Sequence, residues 1–192
     1  MKWIMKVHVK NPELVLLFGL DRQSPKGQKV IGVLEKLAIP YRMLSDKMLG
    51  ETLGFVAELP GYEAAEQPYE GEDLAEEVLL MKGLKDSRMN LLLSSLREVQ
   101  ASIRLKAVVT NHNRDWRLYE LFHELMEEHE TIGAYNQLRQ AYALACGRDM
   151  SALPEAERQE WSVLLLQAKA LIESREPAKK SEYLKAAQRL AF

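Results

Sequence analysis

The chain has 192 residues and a mass of 22.0 kDa; 47% of them are hydrophobic and 28% charged, with 26 Lys+Arg against 28 Asp+Glu. This is the profile of an ordinary globular protein of one domain, or one domain with an appendage. A net charge of −2 and a pI near 6.1 argue against a nucleic-acid groove or a polybasic membrane anchor, since both need a concentrated positive field.

The first ten residues alternate, with Met5, Val7 and Val9 against Lys6, His8 and Lys10, as an edge strand does. Their lysines also break what would be the apolar core of a signal peptide. Leu14–Leu20 is the longest apolar stretch, far short of the ~20 residues that span a bilayer. Within it, Leu14-Val15-Leu16-Leu17-Phe18 ends at Gly19, the pattern of a strand buried on both faces. Ser24-Pro25 reads as a helix cap and first helical position, followed by Val30, Ile31, Leu34 and Leu37 on one face. The helix stops before Pro40, Tyr41–Leu44 offers a second strand, and Thr52–Leu59 a short helix closed by Pro60-Gly61.

Between Met48 and Met81 there is no Lys or Arg, while Glu51, Glu58, Glu63, Glu66, Glu70, Glu72, Asp73, Glu76 and Glu77 all fall there. With Pro60, Gly61, Pro68 and Gly71, the stretch reads as an acidic, solvated connector that could also dock a basic partner. The pattern then restarts. Val78-Leu79-Leu80-Met81-Lys82-Gly83-Leu84 echoes Val15-Leu16-Leu17-Phe18-Gly19-Leu20 at an offset near 64. A helical stripe follows (Met89, Leu92, Leu93, Leu96, Val99), then Ile103-Arg104-Leu105 set against Tyr41-Arg42-Met43. A second helix carries Leu118, Leu121, Phe122, Leu125 and Met126.

Beyond this there is no strand signal. Ile132, Tyr135, Leu138, Tyr142 and Ala145 form one stripe ending at Gly147. Ser151 and Pro154 open a helix with Trp161, Leu164, Leu165, Ala168, Leu171 and Ile172, and Pro177 opens a third with Tyr183, Leu184, Ala187 and Leu190. The sequence thus predicts an α/β (or α+β) fold. Residues 1–130 form a domain of two duplicated β-α-β-α units, about 11–60 and 78–130, joined by an acidic linker over about 60–77. They build one small sheet with covering helices, arranged as a ferredoxin-like sandwich or a doubly wound sheet. Residues 131–192 form a helical extension of about three helices.

The densest polar cluster is Thr110-Asn111-His112-Asn113-Arg114-Asp115-Trp116, directly after the apolar strand Leu105–Val109 and before a helix. Strand ends of this kind hold ligands more than other places do. Asn111, His112, Asn113, Asp115 and Trp116 are therefore the candidate ligand-binding residues, with the two amides as hydrogen-bond donors and the indole as a stacking face. The structural alternative makes Asn113 or Asp115 the cap of the helix from Arg117, with Trp116 over its first turn.

The run Leu105–Trp116, with Leu118, Glu120-Leu121 and Glu127-Glu128-His129-Glu130 after it, resembles a bacterial domain-of-unknown-function family, number three-seven-eight-three. Its hallmark is an Asn and a Trp separated by two residues after a strand, here Asn113 and Trp116. The resemblance covers roughly residues 78–130 and implies no activity. The N-terminal unit has Ser45-Asp46-Lys47-Met48 and Thr52 in the equivalent stretch, so only one unit would carry a site.

Other chemistry reads weakly. His123 and Glu127 share a helical face, but His129 points away from His123 and no zinc-peptidase motif is present. The hairpin that a His-Asn-His endonuclease needs before its helix is missing. Glu120, Glu124 and Glu128 form a like-charged row, and Cys146 would sit in a helix's last turn, where the dipole disfavours a thiolate. Gly19–Gly27 lacks both phosphate-loop spacings. No metal, cofactor or catalytic residue is predicted. A single cysteine fits a reducing, cytoplasmic setting. The expected function is a non-catalytic binding or protein-interaction module, with a protein partner engaging through the acidic linker or the helical tail, and without nucleic acid or membrane. Oligomerisation is left open. The alternative is a small-molecule sensor or enzyme with its pocket at the Thr110–Trp116 loop.

Overall fold

Five consecutive apolar side chains cannot all avoid water unless both faces of their strand are covered, and β1 (Leu14–Phe18) is buried along its whole length. In the computed structural model, residues 12–66, 68–151 and 154–191 are described; the expected edge strand over Met5–Val9 lies outside them. After β1 come α1 (Pro25–Lys36), β2 (Tyr41–Met43), a 3-10 turn over Asp46–Met48 and α2 (Leu53–Val56). β3 (Val78–Lys82), α3 (Asp86–Glu98), β4 (Leu105–Val108) and α4 (Leu118–Cys146) follow, then α5 (Glu155–Glu173) and α6 (Lys180–Arg189). Ser24 caps α1 by accepting from the Gly27 N–H at 2.9 Å, with Pro25 in the first turn, as its sequence predicts.

The chain divides into two compact units, Met1–Leu125 and Met126–Phe192. In the first, the sheet order is β2-β1-β3-β4. β1 runs parallel to β2 and β3 parallel to β4, while β1 and β3 pair antiparallel. This is neither of the two expected arrangements. A doubly wound sheet keeps its strands largely parallel with helices on both faces, and a ferredoxin-like sheet splits each β-α-β unit with an inserted strand. Here each β-α-β unit keeps its two strands adjacent, and the units meet back to back across β1 and β3.

The central register has a two-fold character. Leu16 pairs with Leu80, Leu14 with Lys82 and Phe18 with Val78, so the axis passes through positions 16 and 80. The same relation returns below the sheet, where Thr52 bridges Arg117; the Leu53 N–H donates to the Trp116 carbonyl and the Leu118 N–H to the Glu51 carbonyl, both at 2.9 Å. Gly19 and Gly83, which end β1 and β3, adopt matching φ values of 69° and 71°. An axis perpendicular to the sheet leaves both crossover helices on one face. Val15, Leu17, Leu79 and Met81 accordingly share one core with Val30, Val33 and Leu34 of α1 and Leu92 and Leu96 of α3.

The opposite face is closed by α2 and the start of α4. Phe18 meets Phe122 there with ring centroids 5.0 Å apart, a pair worth about 0.5–1.5 kcal/mol beyond its burial. The two-fold mate of Phe18 is Lys82, and that of Phe122 is Ala57. At this second position Lys82, 1% exposed, donates from Nζ to the Ala57 carbonyl at 2.7 Å.

The acidic stretch is not a free connector. Tyr62 packs on Gly54, where a Cβ would come within 2.4 Å of its ring, and Tyr69 packs on Gly50 and stacks on Tyr119 at 5.6 Å. The Ala65 N–H donates to Glu51 at 2.8 Å, Glu76 pairs with Arg104 at 2.7 Å, and Glu77 pairs with Lys26. Its charges still face water, but two aromatic anchors and two ion pairs hold it against the unit as a strap.

In the second unit, Leu138, Ala168, Tyr183, Ala187 and Leu190 form the core of three helical segments, with Trp161, Leu164, Leu165, Leu171 and Ile172 packed around it. Tyr135 and Tyr183 meet edge to face at 5.4 Å. α4 passes without interruption through position 131, where the sequence suggests a boundary between helices. Ile132, assigned to its apolar stripe, is half exposed. Among the described residues no helix is long and apolar enough to cross a membrane.

Candidate functional site

The parallel pairing of β3 and β4 puts their carboxyl ends at one rim of the sheet, and the loop from Val109 to Arg117 leaves β4 there. The Val109 N–H is still in the ladder, donating to the Met81 carbonyl at 2.8 Å. From there Asn113 closes the loop on itself. Its Oδ1 accepts from the Thr110 N–H at 2.8 Å and from Thr110 Oγ1 at 3.2 Å, and its Nδ2 donates to the Val108 carbonyl at 2.9 Å. The Arg114 N–H returns to the Thr110 carbonyl and the Trp116 N–H to the Asn113 carbonyl. One side-chain amide thus satisfies a strand-end donor and acceptor that would otherwise need water.

Neither Asn113 nor Asp115 caps the following helix. The N-terminal N–H at Arg117 donates instead to Glu120 Oε2 at 3.0 Å. Asp115 accepts from the Tyr62 hydroxyl and lies 3.8 Å from Arg114 Nε. The Tyr62 phenol is raised above its usual value chiefly because it donates to this carboxylate, with nearby Arg114 opposing. The loop is also fastened across the unit: the Arg114 carbonyl accepts from the Gly54 N–H at 2.7 Å and the Trp116 carbonyl from Leu53.

With its backbone held, the loop presents its side chains outward. Trp116 is 41% exposed. His112 is exposed and its N–H donates to Thr110 Oγ1 at 3.3 Å. Asn111 accepts from Arg114 Nη1 at 3.2 Å. Beside them a groove of about 620 Å³ is lined by Leu59, Pro60, Tyr62, Val109, Thr110, Asn111 and Arg114.

Of the five candidate residues, the structure puts Asn111 in the groove wall and Asp115 against Tyr62 and Arg114, which line it. Asn113 is in the loop's internal lock, and His112 and Trp116 are on its outer surface. Tyr62 and Arg114 were not among the candidates, yet both line the groove. Arg114 lay in plain view within the motif. Tyr62 had a weaker signal, an aromatic next to Gly61, whose φ of 86° turns the chain back. Lys82 lies near the same rim; burial pushes its amine below the ordinary lysine value, partly offset by Glu58. His123 is exposed, and among the described residues no three His, Cys, Asp or Glu side chains gather as a metal site.

Residues 77–132 match the family model described as Domain of unknown function (DUF3783). The matched segment takes in β3, α3, β4, the loop and the first half of α4, and it brings no assigned activity. No curated protein and no solved structure matches the chain.

Proposed function

We propose that the chain is a cytoplasmic, non-catalytic binding module whose contact element is the Thr110–Trp116 loop. Its α/β unit would have grown by duplication of one β-α-β-α unit, and its helical part, about 131–192, would serve as an extension. The observation that carries this reading is the contrast within the loop: the backbone is locked by Asn113 and by two bonds to Leu53 and Gly54, while the largest side chain, Trp116, is left 41% exposed. A rigid loop holding an aromatic in water loses little conformational entropy on docking, which is how anchor residues gain affinity. The repeated hydrogen bonds at Thr52 and Arg117 and the matched glycines support the duplication.

The test is a photo-crosslinking amino acid at position 116 in living cells, with exposed Lys29 on α1 as the control position. A discrete adduct at 116, missing at 29 and lost when Asn113→Ala loosens the loop, is expected. Equal adduct patterns at the two positions would refute the reading.

A further inference from the structure

Asn111 and Arg114 stand side by side in the groove wall, and their hydrogen bonding is lopsided. Asn111 Oδ1 is used by Arg114 Nη1 at 3.2 Å, which leaves Asn111 Nδ2 as a donor. Among the described residues Nδ2 has no acceptor. The Arg114 guanidinium meets that amide oxygen, the Tyr62 hydroxyl and, at 3.8 Å, one Asp115 oxygen; the other Asp115 oxygen is taken by the Tyr62 hydroxyl. The pair thus brings an amide and a guanidinium, each with further N–H groups, to neighbouring points of the groove wall. Thr110 adds nothing to them, because its hydroxyl already donates to Asn113 and accepts from His112. The rest of the wall is apolar: Leu59, Pro60, Val109 and the ring of Tyr62.

Two planar donor groups beside an apolar surface match a carboxylate attached to an apolar body. A guanidinium offers two parallel N–H groups to a carboxylate. A phosphate fits less well: it carries a second charge, and the wall has one cation, with Asp115 beside it. Nearby Glu58 is engaged by Arg42 at 3.7 Å.

We propose that this groove binds a carboxylate-bearing ligand, its two oxygens held by Arg114 and Asn111 and its apolar substituent resting on Leu59, Pro60 and Val109. The carboxylate belongs either to the C-terminus of a peptide or to a small organic acid. This rests on the binding-module reading and names what the module takes.

The full-length 15N-labelled protein is titrated with three probes: N-acetyl-leucine, its uncharged amide, and a hexapeptide ending in leucine with a free carboxylate. At least one carboxylate probe should shift the Asn111 side-chain amide and the Arg114 Nε resonance. The amide should bind at least tenfold more weakly, and Arg114→Gln should weaken the carboxylate probes at least tenfold. Arg114 holds α2 through its backbone carbonyl, which accepts from the Gly54 N–H, so the glutamine variant keeps the fold, as unchanged amide dispersion verifies. A tighter peptide identifies a chain terminus as the source, and a tighter free acid identifies a small molecule. Amide binding within twofold of the acid, an Arg114→Gln affinity within twofold of wild type, or no shift in the loop would each overturn the proposal. Crosslinking at position 116 is independent of the carboxylate, so an adduct there beside a failed titration sinks this inference and leaves the module reading standing.

Discussion

Replacing Asn113 by alanine tests whether the loop's order comes from one amide. The change removes three hydrogen bonds, at 2.8, 2.9 and 3.2 Å. A protein hydrogen bond contributes ~0.5–1.5 kcal/mol net, and more is lost only when the abandoned partner stays dry. Val108 and Thr110 are both exposed, so water reaches the freed groups and the lower part of that range applies. The expected cost is about 1–2 kcal/mol, confined to the α/β unit. For a unit of this size that corresponds to a melting point lower by roughly 3–10 °C. Asn113→Asp separates the contributions, since it keeps the acceptor for Thr110 but sets a carboxylate against the Val108 carbonyl; it should also lose about 1 kcal/mol. Urea unfolding followed by amide resonances of β4 and α3 reads this unit alone, which matters because two units need not unfold as one. A midpoint for Asn113→Ala within 0.3 M of wild type at unchanged slope would refute the lock.

Three further outcomes are expected. Trp116→Ala should leave the melting point within about 1 °C, since an exposed side chain contributes little to stability; a large loss of stability would show that the ring is a packing element. Gly54→Ala should displace the strap, because the new methyl would stand 2.4 Å from the Tyr62 ring; limited proteolysis between Leu59 and Val78 should accelerate, and unchanged cleavage would count against the anchoring. Lys82 has a folded-state pKa below its ordinary value of 10.5, so protonating it penalises the folded state. That penalty is complete below the folded pKa and fades as pH rises toward 10.5. Wild-type stability minus that of Lys82→Met should therefore increase with pH across this window, and a flat difference would contradict the burial of a charged amine. Taking the difference also removes Tyr62, whose raised pKa acts in the opposite direction.

How much of this could be seen in the amino-acid string depended on whether the cause was local. β1 and β3 were legible because burial on both faces leaves an unbroken apolar run, and Ser24-Pro25 was legible because capping is a matter of adjacent residues. Strand order was not, since two adjacent β-α-β units can meet in several ways and only the pairing of Leu16 with Leu80 distinguishes them. The acidic stretch looked unattached because its anchors lie far away: Gly54 and Gly50 have no side chains to advertise the tyrosines they seat. The loop stands out by its polar density, but the bonds by which Asn113 closes it, rather than capping the helix, are not legible because the strand end it satisfies is five residues upstream. Arg114 stands between two of the candidate residues, yet nothing local marks its side chain as part of the groove wall.

The back-to-back pairing of β1 with β3 also gives the sheet two rims of the same construction. At each, a parallel pair of strands ends, and the chain bonds back into the neighbouring strand: Leu44 to the Leu17 carbonyl at 2.7 Å on one side, Val109 to the Met81 carbonyl at 2.8 Å on the other. One rim carries the asparagine-locked loop; its counterpart carries only the short turn of Asp46–Met48. The molecule thus contains its own blank. Grafting the seven residues Thr110–Trp116 onto the plain rim, or the plain turn onto the decorated one, separates what the scaffold contributes from what the loop contributes within a single chain. A lineage that gained a second loop at the plain rim would display two copies on opposite ends of one sheet, pointing in opposite directions, and so could bridge two partners without any change of oligomeric state.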